Sequence, residues 1–288
     1  MKNTPTSKLK PLLKWPGGKT KIAPRIAQYY DRPRRYVSLF AGGLGDVMAI
    51  DPDRVLANDC WPAVINLYNQ VKVGLIPHFE MVGTPTEFEK RRLEFNERAI
   101  DKGELNAETA NLLYFIQRTG HNGLVRCNSK GWSNVPHGKP DRKKWDKYKE
   151  DFSDYHKYLT NFDAHQNAFK NWDFICGDFA DVSIAHDDFL YADPPYDPVS
   201  ATGASFSYTK GFTWGDQVRL AEFLASKSNP VVASNYATPR ILELYLDLGF
   251  KVKTFGTKTS ISCNGGDRKN VITEILAIKN IEAIEDMP

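Results

Sequence analysis

The segment Tyr191–Tyr196 combines residue types that would grip an aromatic amine. It reads Tyr-Ala-Asp-Pro-Pro-Tyr and continues the apolar run Phe189–Ala192, which predicts a buried strand. Prolines lack the backbone N–H, so their rigid carbonyls can only accept hydrogen bonds. The carboxylate of Asp193, the carbonyl of Pro194 and the ring of Tyr196 would together suit a planar ring that carries an exocyclic NH₂ group.

Acceptors of this kind would activate the amine of adenine. The lone pair of that nitrogen is delocalised into the ring, and two acceptors that bind the amine hydrogens localise it on the nitrogen. A poor nucleophile then becomes reactive without a strong base. The alternative interpretation is a stiff turn at the end of a strand, without a role in chemistry.

A glycine-rich turn follows the run Tyr36–Phe40, which predicts another strand. Gly42 and Gly43 stand where a helix opens, and a turn of this type lets a nucleoside-like ligand approach the backbone. The spacing differs from G-x-G-x-x-G, which disfavours a dinucleotide pyrophosphate.

Asp59 lies two residues after the predicted strand Val55–Ala57. An acid at this position would accept hydrogen bonds from ribose hydroxyls. It would equally serve as the N-cap of the helix predicted over Ala63–Val71. Both interpretations stay open.

The N-terminal motif Leu12–Lys19 reads L-L-K-W-P-G-G-K. It precedes a helix predicted to start near Thr20, so its glycines would present backbone N–H groups to an anion or a carboxylate. The spacing of a phosphate-binding loop, G-x-x-x-x-G-K-[ST], is absent. The alternatives are that Trp15 is an ordinary core residue and that Lys19 is a solvated lysine.

Two segments are strongly basic, although the net charge of the chain is only +3. Residues 1–35 contain ten Lys and Arg against one acid, and residues 118–149 contain nine against two. Such clusters predict contact with the phosphates of a nucleic acid, with a solvated surface as the alternative.

The second basic segment predicts a two-stranded β-ribbon over about 118–139, with its turn at Ser129-Lys130-Gly131. A ribbon of this size fits the major groove of DNA, where Arg binds guanine and Leu contacts the methyl group of thymine. A surface hairpin without a ligand is the alternative.

Strand and helix patterns alternate over most of the chain, which is typical of a doubly wound α/β domain with a mostly parallel sheet. The strands not yet named are Trp172–Cys176 and Val231–Ser234, and the further helices of this part are Ile22–Tyr30 and Trp214–Ala225. Runs over 251–256 and 271–278 have no helix between them, so we expect an antiparallel hairpin at the edge of the sheet.

The alternation stops in the middle of the chain. Thr84-Pro85-Thr86-Glu87 is a helix start, and Phe88–Ile100 and Ala107–Thr119 predict helices with no strand between them. We therefore predict a discontinuous α/β domain of residues 8–62 and 165–280. An inserted helical domain of residues 63–164 would interrupt it and carry the basic hairpin.

The composition excludes several classes of protein. With 41% hydrophobic and 12% aromatic residues the chain has ample core material, and no apolar run approaches the roughly 18 residues that span a bilayer. Cys60, Cys127, Cys176 and Cys263 include no C-x-x-C pair, which predicts neither a zinc site nor a disulfide framework. The basic N-terminus lacks the apolar stretch of a secretory signal. We expect a soluble, cytoplasmic protein.

In their order along the chain, these motifs resemble the Dam-type DNA adenine methyltransferases. The resemblance runs from about Leu9 to Lys279 and is carried by L-K-W-P-G-G-K, F-A-G-G, N-D, R-T-G-H-N-G-L-V-R, N-V-P-H-G-K and D-P-P-Y. Pro198-Val199-Ser200-Ala201-Thr202 and Ser262–Lys269 add to it. It implies a Rossmann-like, S-adenosylmethionine-dependent methyltransferase fold with an inserted DNA-recognition domain.

The resemblance also implies the site residues. S-adenosylmethionine would be bound by Trp15, Lys19, Phe40, Gly42, Asp59 and Asp193. The catalytic set would be Asp193, Pro194 and Tyr196. Double-stranded DNA would be read by Lys14, His121, Asn122, Leu124, Arg126, Asn134 and Pro136. His121 departs from the pattern of close relatives, which have an aromatic residue at this position that would wedge into the duplex. Imidazole would be a smaller and more polar wedge.

We therefore expect methylation of the N6 amine of adenine in duplex DNA, at GATC sites, by base flipping. No metal, membrane or obligate protein partner is expected. An RNA base methyltransferase is one alternative, although a major-groove reader suits B-form DNA better than A-form RNA. A DNA-binding relative without catalysis is another, and the missing glycine pattern disfavours a nicotinamide-dependent oxidoreductase.

Overall fold

A seven-stranded β-sheet is the centre of the computed structural model, which describes residues 9–32, 34–77, 84–138, 162–198, 211–258 and 271–284. The strands are β1 Tyr36–Ser38, β2 Val55–Asp59, β3 Trp172–Cys176, β4 Phe189–Ala192, β5 Val231–Tyr236, β6 Lys251–Lys258 and β7 Val271–Lys279. Their order is β3-β2-β1-β4-β5-β7-β6. β1 to β5 run parallel, and β7 is antiparallel to β5 and β6. The predicted Rossmann-like α/β class, with its antiparallel C-terminal hairpin, is confirmed.

The helices begin where local chemistry favours them. In the described ranges they are α1 Ala23–Ala27, α2 Gly45–Ile50, α3 Pro62–Lys72, α4 Pro85–Phe95, α5 Ala107–Thr119, α6 Phe162–Phe169, α7 Trp214–Ala225 and α8 Pro239–Asp247. As predicted, Thr84 caps α4, since its side chain accepts a hydrogen bond from the backbone N of Glu87 at 3.2 Å. The helix predicted over Phe88–Ile100 consists of two parts, since α4 ends at Phe95 and a π-helix over Asn96–Asp101 follows it directly.

A crevice forms where the strand order reverses. Every residue of β1, β2 and β4 is buried, as expected for parallel strands that are covered on both faces. From β1 the sheet extends through β2 to β3 on one side, and through β4 to β5 on the other. Ligands of such sheets bind outside the carboxyl ends of the strands at this switch point. Here that position follows Ser38 of β1 and Ala192 of β4.

The helical segment between β2 and β3 shares its core with the sheet. α3 packs against β2 and β3 and also against α5. Phe88 of α4 and Phe115 of α5 belong to the same buried cluster as Tyr36 of β1 and Phe189 of β4. The predicted helices are present, while the boundaries of an inserted domain over 63–164 stay a prediction.

The basic segment 118–139 does not form the predicted pair of strands. Its described residues make two isolated antiparallel bridges, Gly120 with His137 and Cys127 with Ser133. A 3₁₀ turn at His121–Gly123 and a turn closed by the side chain of Asn128 interrupt the pairing. Pro136 has no N–H with which to continue a ladder. The segment still folds back on itself, but as a loop.

Several sequence motifs lie outside the described residues. They are residues 1–8 and 139–149 of the basic segments, 199–202 after the proline turn, and 262–269 with Cys263. Among the helices that are described, none is long and apolar enough to cross a membrane.

Candidate active site

Asp193 lies directly after β4, in the crevice beside β1. Its Oδ1 accepts hydrogen bonds from Lys19 Nζ at 2.8 Å and from Ser234 Oγ at 3.0 Å. Burial raises the pKa of Asp193, and the charge and hydrogen bond of Lys19 act in the opposite direction. The site therefore contains a carboxylate that a buried cation and a hydroxyl help to keep charged.

Lys19 joins the N-terminal motif to this carboxylate. It begins the 3₁₀ turn Lys19–Lys21, and its Nζ also donates to Gly17 O at 2.6 Å. The same atom lies 4.5 Å from the centroid of the Tyr196 ring. Since Lys19 is only 8% exposed, its interpretation as a solvated lysine is wrong.

Tyr196 is held from the C-terminal hairpin. Its hydroxyl donates to Glu274 Oε2 of β7 at 3.1 Å, and Thr257 of β6 donates to the other oxygen of Glu274 at 2.5 Å. Tyr236 packs edge-on against the ring, with the centroids 4.8 Å apart. Pro194 is buried in the same turn. Asp193, Pro194 and Tyr196, the three predicted catalytic residues, thus lie together at the edge of the sheet where the parallel strands end.

The glycine-rich turn packs against Trp15. Gly42 has a φ of +44°, and a Cβ built there would lie 2.7 Å from the indole Nε1. A Cβ on Gly43 would lie 2.5 Å from the Cβ of Trp15. Glycine is required at both positions because any side chain would displace the indole. The N-terminal motif and the glycine-rich turn, both predicted to bind the cofactor, therefore form one surface.

Asp59 holds this turn in place. Its Oδ2 accepts from Gly42 N at 2.9 Å, and its Oδ1 accepts from Trp61 N at 3.0 Å. Trp61 is the N-cap residue of α3, so the interpretation of Asp59 as that cap is wrong. Burial raises the pKa of Asp59 to about 6. Each carboxylate oxygen has a second lone pair, so these bonds leave capacity for a ligand hydroxyl.

A cleft lies at the carboxyl ends of β1, β2 and β3. Its lining includes Phe40, Asn58, Asp59, Asp178, Phe179 and Pro195. The rings of Phe40 and Phe179 pack with their centroids 5.6 Å apart. Asn58 Oδ1 is buried and has no hydrogen-bond partner among the described residues. An unpaired buried acceptor is costly, so this atom suits a ligand that donates a hydrogen bond.

Asp178 belongs to none of the sequence motifs, although it lies near Asp59 at the carboxyl ends of neighbouring strands. Asp59 is the last residue of β2, and Asp178 follows β3 by two residues, within Gly177-Asp178-Phe179. An acid at the end of a predicted strand is the signal that would have found it. Arg219 of α7 donates two hydrogen bonds to the carboxylate, at 2.7 and 2.8 Å, and lowers the pKa of Asp178. The cleft therefore contains a second, fixed carboxylate.

Asp46 of α2 is a further buried acid that no motif indicates. Burial raises its pKa to about 6, with a smaller contribution from the charge of Asp193. Tyr36 and Ser38 of β1 donate to its Oδ2, at 3.1 and 3.4 Å. Among the residues that the structure describes, no cluster of three or more His, Cys, Asp or Glu is arranged to hold a metal ion.

Lys14 meets the second basic segment. Gly123 has a φ of +66°, and a Cβ there would lie 2.3 Å from the Cβ of Lys14. The 3₁₀ turn that contains Asn122 is tied to the opposite arm, because His121 N donates to Pro136 O at 2.9 Å. Lys14, His121 and Pro136 are exposed.

Arg126 and Asn134 form a pair on the same segment. The Nε of Arg126 donates to Asn134 Oδ1 at 2.7 Å, and Nη2 donates to the Asn134 carbonyl at 2.6 Å. Arg126 is exposed, so its guanidinium lies at the surface with its orientation set by Asn134. Leu124 is half-buried beside it. Of the seven residues predicted to read DNA, all except Asn122 have side chains that the structure describes, and these six lie on this loop or next to it.

Residues 15–261 match the family of D12 class N6 adenine-specific DNA methyltransferases. The match covers most of the 288 residues, including strands β1 to β6 and the helical segment. The chain belongs to this family. The methyltransferase is accordingly an adenine-specific, DNA-modifying enzyme, as the order of its motifs predicts.

The methyltransferase is also similar to known proteins over nearly their whole length. The type II methyltransferase M1.LlaDCHI of Lactococcus lactis subsp. cremoris is 34% identical over 284 residues, which cover 93% of this chain and 94% of the relative. The DNA adenine methylase of Escherichia coli strain K12 is 32% identical, with 92% and 94% covered. The type II methyltransferase M.MjaIII of Methanocaldococcus jannaschii is 31% identical, with 93% and 98% covered.

Proposed function

We propose that the methyltransferase transfers a methyl group from S-adenosylmethionine to the N6 amine of an adenine that is flipped out of double-stranded DNA, within GATC. Family membership supports the class of reaction. The observation that carries the rest is the position of Asp193, which follows β4 at the switch point of the sheet. Its turn also forms a wall of the adjacent cleft through Pro195.

The cleft supports S-adenosylmethionine as its ligand. The rings of Phe40 and Phe179 suit an adenine, Asp59 suits ribose hydroxyls, and the Oδ1 of Asn58, unpaired among the described residues, suits a further donor. When bound, this cofactor supplies a methyl group activated by attachment to a sulfonium. The other residues proposed to bind it, from the family resemblance, are Trp15, Lys19, Gly42 and Asp193.

The proline turn supports binding of the target amine. Asp193 would accept one amine hydrogen and stabilise the positive charge that develops on the nitrogen. The carbonyl of Pro195 already accepts from Gln217 Nε2 at 2.8 Å, so within the described residues the Pro194 carbonyl is the one left for the other hydrogen. The ring of Tyr196 would stack on the base.

Lys19 would move when the base enters. Its Nζ lies 2.8 Å from Asp193 and 4.5 Å from the Tyr196 ring centroid, between the two groups proposed to hold the adenine. Lysine has a flexible stem, so the ammonium can move aside from the ring while it keeps its bonds to Gly17 O and to Asp193 Oδ1. The other carboxylate oxygen, Oδ2, would then be left for the target amine.

The exposed loop supports recognition of duplex DNA. Arg126, oriented by Asn134, would bind a guanine, and Leu124 would contact a thymine methyl group, both of which GATC provides. Lys14 would add a contact beside the 3₁₀ turn. His121 would occupy the space left by the flipped base, which costs a few kcal/mol to extrude.

The test is to incubate an unmethylated plasmid and a structured RNA with the enzyme and methyl-labelled S-adenosylmethionine, and to map every modified base. We expect N6-methyladenine at each GATC and no label in the RNA. Modified adenines in another sequence would refute GATC alone, and label in RNA or on cytosine would refute the proposed reaction. A protein that binds DNA but not the labelled cofactor would be the inactive relative.

A further inference from the structure

Near its carboxyl end, before Tyr236, β5 contains two polar residues that are fully buried. Ser234 and Asn235 are both 0% exposed. Polar side chains at such positions need partners inside the protein, because an unpaired group there costs stability. Ser234 bonds to Asp193 at the start of the proline turn, and Asn235 bonds to Asp197 at its end.

Ser234 fixes the rotation of the Asp193 carboxylate. Asp193 Oδ1 and the Ala192 carbonyl can only accept, and Oδ1 at 3.0 Å is closer to Ser234 Oγ than Ala192 O at 3.4 Å, so the single hydroxyl hydrogen of Ser234 goes to Asp193. The contact of 3.0 Å between the hydroxyls of Tyr191 and Ser234 is then donated by Tyr191. Lys19 also donates to Oδ1. With both bonds on one oxygen, the other oxygen, Oδ2, is left to receive the target amine.

Asn235 acts on the far side of the turn through a chain of amides. Its Oδ1 accepts from Asp197 N at 3.0 Å, and its Nδ2 donates to Gln217 Oε1 at 3.0 Å. Gln217 Nε2 in turn donates to Pro195 O at 2.8 Å. Because each amide has one donor and one acceptor end in use, neither side chain can flip without breaking two bonds.

The end of the turn is anchored independently. The Asp197 carboxylate is buried and accepts from Thr238 Oγ1 and from Arg240 Nε, each at 2.8 Å. The turn therefore has fixed ends, and the Pro194 carbonyl between them has little freedom to rotate.

We infer that Ser234 and Asn235 are positioning residues for methyl transfer. Ser234 sets the carboxylate of Asp193 so that Oδ2 faces the target amine, and Asn235, with Gln217, sets the carbonyls of the proline turn. The inference rests on the proposed function, since it needs this turn to bind the amine. Methyl transfer depends on the alignment of the reacting atoms, so a small displacement of the acceptors slows it.

The first experiment compares Ser234→Ala with Ser234→Thr, which keeps the hydroxyl, and with Val232→Ala, which weakens the same buried strand. We expect Ser234→Ala to lower kcat about 10- to 100-fold, as loss of a hydrogen-bond partner that orients a ligating side chain does in metal sites. KM for DNA and Kd for S-adenosylmethionine should change less than about twofold. Ser234→Thr should recover most of kcat. Val232→Ala should lower the unfolding temperature while kcat is retained.

The pH profile of kcat gives a readout that a purely structural role would not move. Ser234→Ala removes a donor that favours the charged carboxylate, so the pKa of Asp193 rises and the acid limb of the profile moves to higher pH. The other groups that face Asp193 are Lys19 before α1, Asp46 of α2, Glu274 of β7, and Tyr36, Tyr191, Tyr196 and Tyr236. They are unchanged in the variant.

The second experiment is a double-mutant cycle on the amide chain. Asn235→Leu and Gln217→Met should each lower kcat about tenfold. The double variant should be no slower than the worse single variant, because either change breaks the same path to Pro195. Losses that multiply would show that the two residues act separately and would refute this part of the inference.

Asp193→Asn, assayed in the same series, separates the inference from the proposed function. If the unmodified enzyme methylates DNA and Asp193→Asn does not, a Ser234→Ala enzyme with full kcat and an unmoved acid limb refutes the positioning role alone. A Ser234→Ala enzyme that loses no more kcat than Val232→Ala refutes it as well. If Asp193→Asn keeps its activity, both the catalytic role of the turn and the inference built on it are refuted.

Discussion

Two regions carry two parts of one proposed reaction: the sheet edge at which the parallel strands end, and the loop over residues 120–138. They are built in opposite ways. At the sheet edge, Asp193, Asp59 and Ser234 lie on or directly after buried strands and are held by bonds that are largely out of water. On the loop, Arg126 is exposed and only two isolated bridges pair the backbone.

What fixes the loop is a small number of bonds from α4 and the π-helix. Asn96 donates to Ser133 O at 3.0 Å and accepts from Ser133 N at 2.8 Å. Arg92 donates to Val135 O at 2.6 Å. The buried edge thus places groups rigidly for chemistry, while the loop can change its exposed side chains at little cost in stability. We expect substitutions in the two regions to differ accordingly in size and kind.

The largest effect should come from Asp193→Asn. The amide nitrogen cannot accept a hydrogen bond, and the change removes the charge that would stabilise the methylated nitrogen, so we expect kcat to fall by about 10³-fold. Single-turnover methylation of a GATC duplex measures this. Asp53→Asn, at an exposed acid, is the matched control and should keep full activity. A change in DNA affinity without a change in kcat would contradict the catalytic placement of Asp193.

Asp46→Asn tests the cost of burying acids at the same edge. The pKa of Asp46 is about 6 in the folded protein, above the roughly 3.9 of an unfolded chain, so the folded state holds the proton more tightly. The contribution of Asp46 to the free energy of unfolding therefore falls as the pH rises from about 4 to about 6. Across that window the variant should gain up to about 3 kcal/mol relative to the parent.

Urea denaturation at pH 4.5 and pH 7.5 measures that gain. Asp53→Asn, at a solvent-exposed acid away from this buried site, again serves as the control. Parallel stability curves for Asp46→Asn and the parent would mean that Asp46 does not bear the cost of burial.

The same contrast explains what the sequence could predict. β3, β4, α5 and α7 have the predicted bounds because apolar runs and caps are local signals. Asp193 and Lys19 stand in recognisable motifs. Ser234 and Glu274 do not, because their roles depend on strand pairing that brings them to residues 41 and 78 positions away. The prediction of a two-stranded β-ribbon was wrong, because alternation and turn residues in a sequence do not reveal where side-chain hydrogen bonds take the place of backbone pairing.

Arg126→Ala should act on discrimination. A bidentate contact between Arg and guanine contributes about 1–3 kcal/mol, so the preference for GATC over sites with a changed guanine should fall about 5- to 150-fold. Competition between two duplexes measures the ratio. Lys130→Ala, on the same exposed loop, is the control and should weaken binding to all sequences equally. An unchanged ratio in Arg126→Ala would remove Arg126 from the reading set.

Asn96→Ala should give the smallest effect and is the sharpest test of the difference between the regions. Among the described residues its side chain bonds only to the backbone of Ser133, so losing it loosens the loop without touching the sheet edge. With each bond contributing about 1 kcal/mol net, we expect KM for DNA to rise about three- to tenfold and kcat to stay the same. Leu93→Ala, at an exposed position of α4, should change neither. A fall in kcat for Asn96→Ala would mean that the loop and the catalytic edge are mechanically coupled, and that the rigidity of one depends on the other.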